Sequence, residues 1–356
     1  MKIGTPKERK VLEGRIALTP EACATLIRQG NEVFIESGAG ELSGYKDEQY
    51  SARGVVIKPS AEELYLSARL IVKVKEPIED DLQYLRRDHI LFCYLHLAAN
   101  LPLSDRLCEI GLTAIAFETV TDEEGRLPLL KPMSEIAGTL AVHIGTHLLH
   151  QPQGGKGLML GGLANTEPGH VVVLGAGVAG SAAARQAAAL GARVTLIDRD
   201  ESRFKPLSES IDNISGEISS DINIAKAVND ADLLVGAVLL AGLHAPMLVS
   251  ESQVKCMQPG GVIIDISVDQ GGCIETIKPT NYSAPTYLKH NMLHFGVTNM
   301  PGAVPRTASQ ALSATILPYV QRLCDDNWWL DENLKNGINV RKGVIDNPLI
   351  EQALKQ

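Results

Sequence analysis

The sequence predicts an α/β protein built from two Rossmann-like, doubly wound domains with mainly parallel sheets and an interdomain cleft. Three observations carry this. Short apolar runs alternate with helical segments along the chain, the pattern of βαβ units. One glycine-rich turn with G-x-G-x-x-G spacing stands between a strand and a helix. The length of 356 residues is enough for two domains, each with its own core.

Lys2 to Thr5 reads as a first strand and Arg15 to Leu18 as its neighbour. Thr19 then caps a helix with Pro20 at its first position, where a missing N–H costs nothing, and the helix runs through Leu26 to a stop at Gly30. Asn31 to Glu36 is the next strand, Tyr45 to Gly54 a short helix and Val55 to Ile57 a strand. Ser60 and Glu63 have the spacing of a capping box that opens another helix. Strands that finish in polar residues follow. LIVKVKEP (Leu70 to Pro77) carries Lys73 and Lys75 on one face, HILFCYLHLAA runs buried through Tyr94 and presents His96, and TAIAFETV presents Glu118. Helical segments such as Leu103 to Ile110 separate them, which implies parallel pairing. Open parallel sheets hold ligands at the carboxyl ends of their strands, where Lys75, His96 and Glu118 fall.

Residues 132–150, with Pro132 and Ser134 at the start, read as a long helix leading into the second domain. Residues 151–169 are a loop whose Gly154, Gly155, Gly161 and Gly162 either touch a cofactor or simply shape a hairpin. The rest of the chain is organised around Val171 to Asp198, VVVLGAGVAGSAAARQAAALGARVTLID. Gly175 permits the tight turn, Gly177 lets backbone approach a pyrophosphate, and Gly180 lets helix meet strand. Val178 and Ala179 complete the turn, and the helix N-terminus offers unpaired N–H groups to the anion. The alanines from Ala182 to Ala189 form a slim helix, and Gly191 stops it. Asp198 ends the second strand, where a carboxylate accepts ribose hydroxyls and repels a 2′-phosphate. NAD is therefore favoured over NADP, with Arg199 beside it as the counter-argument.

After Asp198, Asp230 to Leu239 (DADLLVGAVL) is a strand preceded by a helix from about Ile222. Gly260 to Gly272 is another, with Asp269 just past its end, and Met292 to Gly302 is the last, finishing in Asn299. A helix from about Thr307 to Leu323 returns to the first domain. The organisation is thus a discontinuous substrate domain, residues 1–133 plus 306–356, around an NAD-binding domain of residues 134–305.

Bulk properties exclude several classes. Hydrophobic residues at 45% with 21% charged make an ordinary soluble protein, and a net charge of −9 gives no basic patch for nucleic acid or anionic lipid. The six cysteines (Cys23, Cys93, Cys108, Cys256, Cys273, Cys324) lack C-x-x-C or metal-ligand spacing. They read as reduced thiols of a cytoplasmic protein, and no metal site is visible. The N-terminus lacks an apolar signal core. The most apolar later stretch, Leu233 to Val249, is broken by Gly236, Gly242, His244 and Pro246, so it is strand and loop rather than a membrane span.

Two sets of strand ends can face each other across a cleft: Lys75, His96 and Glu118 from one sheet, Asp269 and Asn299 from the other. Hydride leaving a carbon that bears nitrogen or oxygen needs a proton acceptor and a fixed cation for any carboxylate. His96 and Asp269 suit the first role, Lys75 and Arg15 the second. The residues alone leave rivals standing. Lys73 is the equal of Lys75 in sequence, His96 reads equally as a histidine capping a strand, and Arg15 reads equally as a surface ion-pair residue. Glu118 reads as a carboxylate that orients a cation. Asp269 is favoured by DQGG, whose glycines let backbone come close to a ligand. His143, His147 and His150 read as packing or surface residues, and Trp328 and Trp329 as aromatics sealing a domain edge.

TPKE with Arg15 in GRIALTP, LIVKVKEP, YLHLAAN, FETV, PMSEIAG, the glycine turn, DLLVGAVL, DISVDQGG and NMPGAVPRT together resemble the alanine dehydrogenase family over nearly the whole chain. The resemblance implies that Arg15 and Lys75 hold the substrate carboxylate and carbonyl. It implies that His96 is the acid/base partner of the substrate oxygen or nitrogen and that Asp269 assists water and ammonia. It implies that Ser134, Gly175, Gly177, Val178, Ala179, Gly180, Asp198, Arg203, Ser219, Val238 and Leu239 line NAD. Ile266, Ser267, Val268, Asp269, Lys278, Val297, Thr298, Asn299 and Met300 complete that lining. The implied activity is reversible NAD-dependent oxidative deamination of L-alanine to pyruvate and ammonium, in a cytoplasmic homohexamer.

Lys278 departs from the arginine usual in the family, leaving a cation without a bidentate fork. His244 departs from a common lysine. The rival readings are a transhydrogenase nucleotide-binding subunit with membrane partners, an NAD-responsive regulatory module, and a dehydrogenase of another small 2-amino or 2-hydroxy acid. YLHLAA and DQGG argue against the first. The set Arg15, Lys75, His96 and Asp269 argues against the second, since a sensor needs no acid/base groups there.

Overall fold

Apolar runs too short for helices become the buried central strands of two sheets. The computed structural model describes residues 1–238 and 245–353. In chain order the strands begin with β1 (Lys2–Thr5), β2 (Glu32–Glu36), β3 (Val56–Lys58), β4 (Leu70–Val72), β5 (Ile90–Cys93), β6 (Thr113–Ala116), β7 (His170–Leu174) and β8 (Arg193–Asp198). They continue with β9 (Ile214–Ile218), β10 (Leu233–Gly236), β11 (Val262–Asp265), β12 (Thr286–Lys289), β13 (Met292–Phe295), β14 (Ile338–Arg341) and β15 (Val344–Ile345). Every residue of β4, β5, β7, β10 and β11 is buried, as a parallel strand covered on both faces requires. The chain divides into two compact units, Met1–Met133 with Gly302–Gln356, and Ser134–Pro301.

Among the described residues the first unit holds an eight-stranded sheet in the order β15-β14-β6-β5-β4-β1-β2-β3. The strands from β6 to β3 run parallel, whereas β14 lies antiparallel on β6 and β15 antiparallel on β14. Strand order reverses at β1, which lies between β4 and β2. The crevice beyond the carboxyl ends of β1 and β4 is where such a sheet holds a ligand.

Thr19 and Pro20 start the helix Pro20–Arg28 as their residue types dictate, with the Thr19 side chain accepting from the Ala22 N–H. The expectation of a strand over Arg15 to Leu18 is corrected: the segment is buried but irregular. Its Arg15 N–H goes to Glu13 Oε1 at 3.1 Å, and the next amide goes to the returning helix Pro305–Leu323 instead of to a neighbouring strand, as does that of Thr19 just past the segment. Ile16 donates to Ser309 Oγ at 2.9 Å and Thr19 to Ser313 Oγ at 3.0 Å. Likewise β4 stops at Val72, so Lys73 and Lys75 lie beyond it and do not share a strand face.

Among its described residues the second unit holds a seven-stranded sheet in the order β12-β13-β11-β10-β7-β8-β9, parallel except for the edge strand β12. Here the order reverses at β7, between β10 and β8. The helix Val178–Ala189 buries Ala183, Ala184, Ala187 and Ala188 in the core beside Val171, Val173, Val194 and Leu196. No helix among the described residues is long and apolar enough to cross a membrane.

His294, on β13, is fully buried with Nε2 at 2.7 Å from Thr276 Oγ1, Nδ1 at 3.1 Å from the Met292 carbonyl, and its ring stacked on Tyr287. Burial holds its pKa down to about 4. An unfolded histidine titrates near pH 6.5, so in the window from 6.5 down to 4 the unfolded chain takes a proton that the fold refuses. Stability is complete above that window and falls by about 3 kcal/mol as pH drops through it. Denaturant unfolding at a series of pH values measures this. His294→Gln should flatten the slope, and an unchanged slope would assign the acid sensitivity elsewhere.

Candidate functional site

In the first unit the candidate residues sit where the parallel strands end. Arg15 and Glu13 lie in the segment that follows β1, and both side chains are almost wholly buried. The guanidinium grips the carboxylate with two bonds, Nε to Oε1 at 2.7 Å and Nη2 to Oε2 at 2.5 Å, while Nη1 donates to Met133 Sδ at 3.2 Å. Burial opposes the charge on Arg15, but the hydrogen bonds and attraction of Glu13 outweigh it and raise its pKa above the ordinary value. Arg15 is therefore a buried, oriented cation and not a surface ion-pair residue.

The loop after β4 separates the two lysines that sequence treats alike. Lys73 is buried, with Nζ at 3.2 Å from Asp81 and 3.6 Å from Glu8, and Tyr65 donates its hydroxyl to Asp81. Its charge serves the core. Lys75 is half-buried at the same strand end, apart from that buried ion pair.

His96 follows β5 and adopts a left-handed backbone, φ +50°. Such a conformation costs a non-glycine residue energy unless its surroundings enforce it. Glu118, beyond β6, enforces it by accepting the backbone N–H groups of Leu95 at 3.1 Å and His96 at 2.5 Å. The His96 ring is nearly half exposed, stacks on Tyr94 at 6.0 Å, and has Nδ1 at 3.9 Å from Glu118. Glu118, expected to orient a cation, thus lies beside the His96 ring and also holds the backbone under it with hydrogen bonds.

In the second unit the glycine turn lies between β7 and the helix Val178–Ala189. A Cβ on Gly180 would fall inside the Gly175 carbonyl oxygen, and one on Gly175 would press on Ala237 and Val238. A Cβ on Gly177 would meet nothing within 4 Å. Two of the glycines are therefore demanded by packing, and the middle one keeps space open over the helix N-terminus, as a pyrophosphate cradle requires. Val178, just past it, is exposed at 43%.

Asp198 is buried; its Oδ2 accepts the Ala176 N–H at 2.7 Å, inside the glycine turn, and its Oδ1 accepts the Asp200 N–H at 3.0 Å. Each carboxylate oxygen retains a second lone pair for a ribose hydroxyl. Ser219 donates its N–H to the Asp198 carbonyl at 2.9 Å, so these two are neighbours. The residues around the β7 switch thus fit an adenosine diphosphate group.

On the other side of β7, β11 leads into a tight helical turn, Ile266–Gln270, rather than continuing as strand. Asp265 ties that turn together, accepting from Ser267 at 2.8 Å and from Cys273, past the glycine pair, at 2.7 Å. Burial pushes the Asp265 pKa up against the pull of those amides. Asp269 is the exposed residue of the turn, next to half-buried Ile266, whereas Ser267 and Val268 are buried.

Val297 and Met300 are core residues, which leaves backbone as what they offer a cofactor, and between them Thr298 donates to the Thr280 carbonyl and Asn299 has φ +62°. Ser134 is half-buried on the helix Lys131–Leu148, at the start of this unit. Two cations stand apart. Lys278 lies over the Tyr287 ring at 4.4 Å, by the β12 edge, while β8 and β9 with Asp198 and Ser219 form the opposite edge. Arg203 is exposed on the helix Glu201–Ser208 with Nε at 3.6 Å from Asp200. Leu239 and His244 lie outside the described residues.

Sequence reasoning missed Glu13, Met133, Glu8 and Asp265. Glu8 acts on residues far from it in the chain, whereas Glu13 and Asp265 each hold a group two positions on, Arg15 and Ser267.

Comparison with known proteins bears on the whole chain. Residues 4–137 match the family model described as alanine dehydrogenase/PNT, N-terminal domain, and residues 141–348 the model for the C-terminal domain. An alanine dehydrogenase of Bacillus subtilis is 46% identical over 361 residues, covering 99% of this chain and 95% of that one. One of Mycolicibacterium smegmatis is 44% identical over 359 residues, covering 99% and 97%. A solved L-alanine dehydrogenase superposes with a TM-score of 0.96 at 44% identity, covering 100% of this chain and 99% of that one. A transhydrogenase from Sinorhizobium meliloti shares the fold, with a TM-score of 0.85 at 22% identity over 98% and 99% of the two chains.

Proposed function

Because the chain belongs to the alanine dehydrogenase/PNT family, we propose that it catalyses the reversible NAD-dependent oxidative deamination of L-alanine to pyruvate and ammonium. The observation that carries the reading is the full-length likeness to alanine dehydrogenases from separate organisms at more than 40% identity. The two sheets add chemistry that suits it: oriented cations and an imidazole on one, and a nucleotide cradle on the other.

In this reading Arg15, held by Glu13, presents its guanidinium to the substrate carboxylate, and Lys75 binds that carboxylate or the carbonyl oxygen of pyruvate. His96 takes the proton from the alanine ammonium, freeing the nitrogen electron pair. NAD, when bound, supplies a hydride acceptor for the α-carbon. His96 and Asp269 then remove a proton from the water that attacks the imine carbon and return one to the departing nitrogen, so that pyruvate and ammonium leave. Gly175 to Gly180, Asp198, Ser219 and Val238 would hold the adenosine half of NAD. Ile266 to Asp269 and Val297 to Met300 would hold the nicotinamide half.

The family resemblance supports a cytoplasmic homohexamer, and the cysteines, all free, suit a reducing compartment. Purified protein with L-alanine and NAD at alkaline pH should generate the near-ultraviolet absorbance of NADH. Absence of that signal with alanine, serine and glycine alike would reject the reading, and the relative rates would rank the three.

A further inference from the structure

β1 stops at Thr5, before Pro6, while the chain leaving β4 must still be held for a few residues to carry Lys75. On the β5 side it is held by backbone: the Lys73 N–H reaches the Phe92 carbonyl and the Val74 carbonyl accepts the Tyr94 N–H. On the β1 side a side chain takes over where the strand has ended. The buried Glu8 carboxylate accepts the Val74 N–H at 2.7 Å through Oε1 and the Lys75 N–H at 3.4 Å through Oε2, with the Lys73 ammonium at 3.6 Å. Further along the same loop, Asp81 takes the Ile78 N–H at 3.2 Å and pairs with Lys73, and Lys10 pairs with Glu76. The segment on either side of Lys75 is thus tied down by charged groups, two of them, Glu8 and Lys10, from the segment after β1.

We propose that Glu8 is a positioning residue for the reaction: it replaces the missing strand and sets the direction in which Lys75 points at the substrate. This rests on the assignment of Lys75 to substrate binding. A carboxylate is the group the position needs, because two N–H donors and an ammonium converge on it and both of its oxygens must accept. Glutamine has the same shape but turns one acceptor into a donor, so it keeps the grip on Val74 and loses the one on Lys75. Charge-assisted hydrogen bonds of this kind are strong enough that losing one shifts an equilibrium by about tenfold.

The test is calorimetric titration of pyruvate into the enzyme loaded with NADH, ammonium being withheld so that turnover does not begin. It is run on the parent protein, Glu8→Gln, Lys75→Ala and the double variant. Glu8→Gln should weaken pyruvate about tenfold, leave NADH affinity unchanged, and add nothing to the loss already caused by Lys75→Ala. An equal loss in both backgrounds would make Glu8 a general structural residue and overturn the proposal, as would no loss in either. If Lys75→Ala binds pyruvate like the parent, the assignment of Lys75 falls and the proposal with it. If Glu8→Gln impairs NADH binding and so signals misfolding, Glu8→Asp, which keeps both acceptors on a shorter stem, carries the same cycle to the same decision.

Discussion

His96→Ala is expected to lower the turnover of L-alanine by about a hundredfold to ten-thousandfold while NADH binds as in the parent protein. The magnitude is that of a positioned general acid/base, which must lie on the proton's path. The geometry gives reasons to prefer this over a merely structural histidine. Its ring is nearly half exposed, whereas a satisfied core histidine such as His294 is sealed and hydrogen-bonded at both nitrogens. Its backbone is held in a left-handed conformation by Glu118, and strain maintained by a dedicated carboxylate usually serves to aim a side chain. Steady-state rates with L-alanine and fluorescence titration with NADH separate the outcomes. Parallel loss of turnover and NADH affinity would make His96 a packing residue, and retained turnover would hand the proton to another group.

The α/β class and the family were legible because they rest on features that neighbouring residues encode. VVVL buried on both faces, a turn with glycines at fixed offsets and a terminal Asp198 all state their roles within one stretch. What escaped depends on partners far away in the chain. Arg15 to Leu18 has a strand's composition, yet the Ile16 N–H is taken by Ser309 and that of Thr19, next in the chain, by Ser313, which local periodicity does not report. The strands β14 and β15 close the first sheet from a tail whose pattern is too short to stand out. Lys73 and Lys75 share spacing and chemistry, and only the place of Glu8 and Asp81 in space makes the first a core ion pair. A related limit hid what three carboxylates do for the loops they hold, two of them from far away in the chain. Glu8, Glu118 and Asp265 each accept backbone N–H groups in the turn carrying Lys75, His96 or Asp269. An amide leaves no residue-specific mark in sequence, so the partner of such a carboxylate is not written there.

Gly177→Ala should cost NAD affinity about tenfold to a hundredfold with little loss of stability, whereas Gly180→Ala should unfold the nucleotide unit more readily and lose the cofactor as a consequence. The two glycines belong to one fingerprint, but the space around them differs. At Gly180 an added methyl collides with the carbonyl oxygen of Gly175 and approaches Val173, so backbone must move and the helix must lift from β7. Overpacking against backbone costs at least the few kcal/mol typical of a crowded core, about 3 kcal/mol here. At Gly177 the methyl enters open space, and with φ −70° alanine adopts the backbone without strain. The remaining penalty is that of a poorer helix cap, below about 1 kcal/mol. That open space adjoins the N–H groups of the helix N-terminus, so a pyrophosphate bound there would meet the methyl. NADH titration and denaturant unfolding of both variants distinguish ligand exclusion from misfolding. Should Gly177→Ala bind NADH like the parent, the turn does not face the pyrophosphate. Should it unfold as easily as Gly180→Ala, the space above it is not the ligand's.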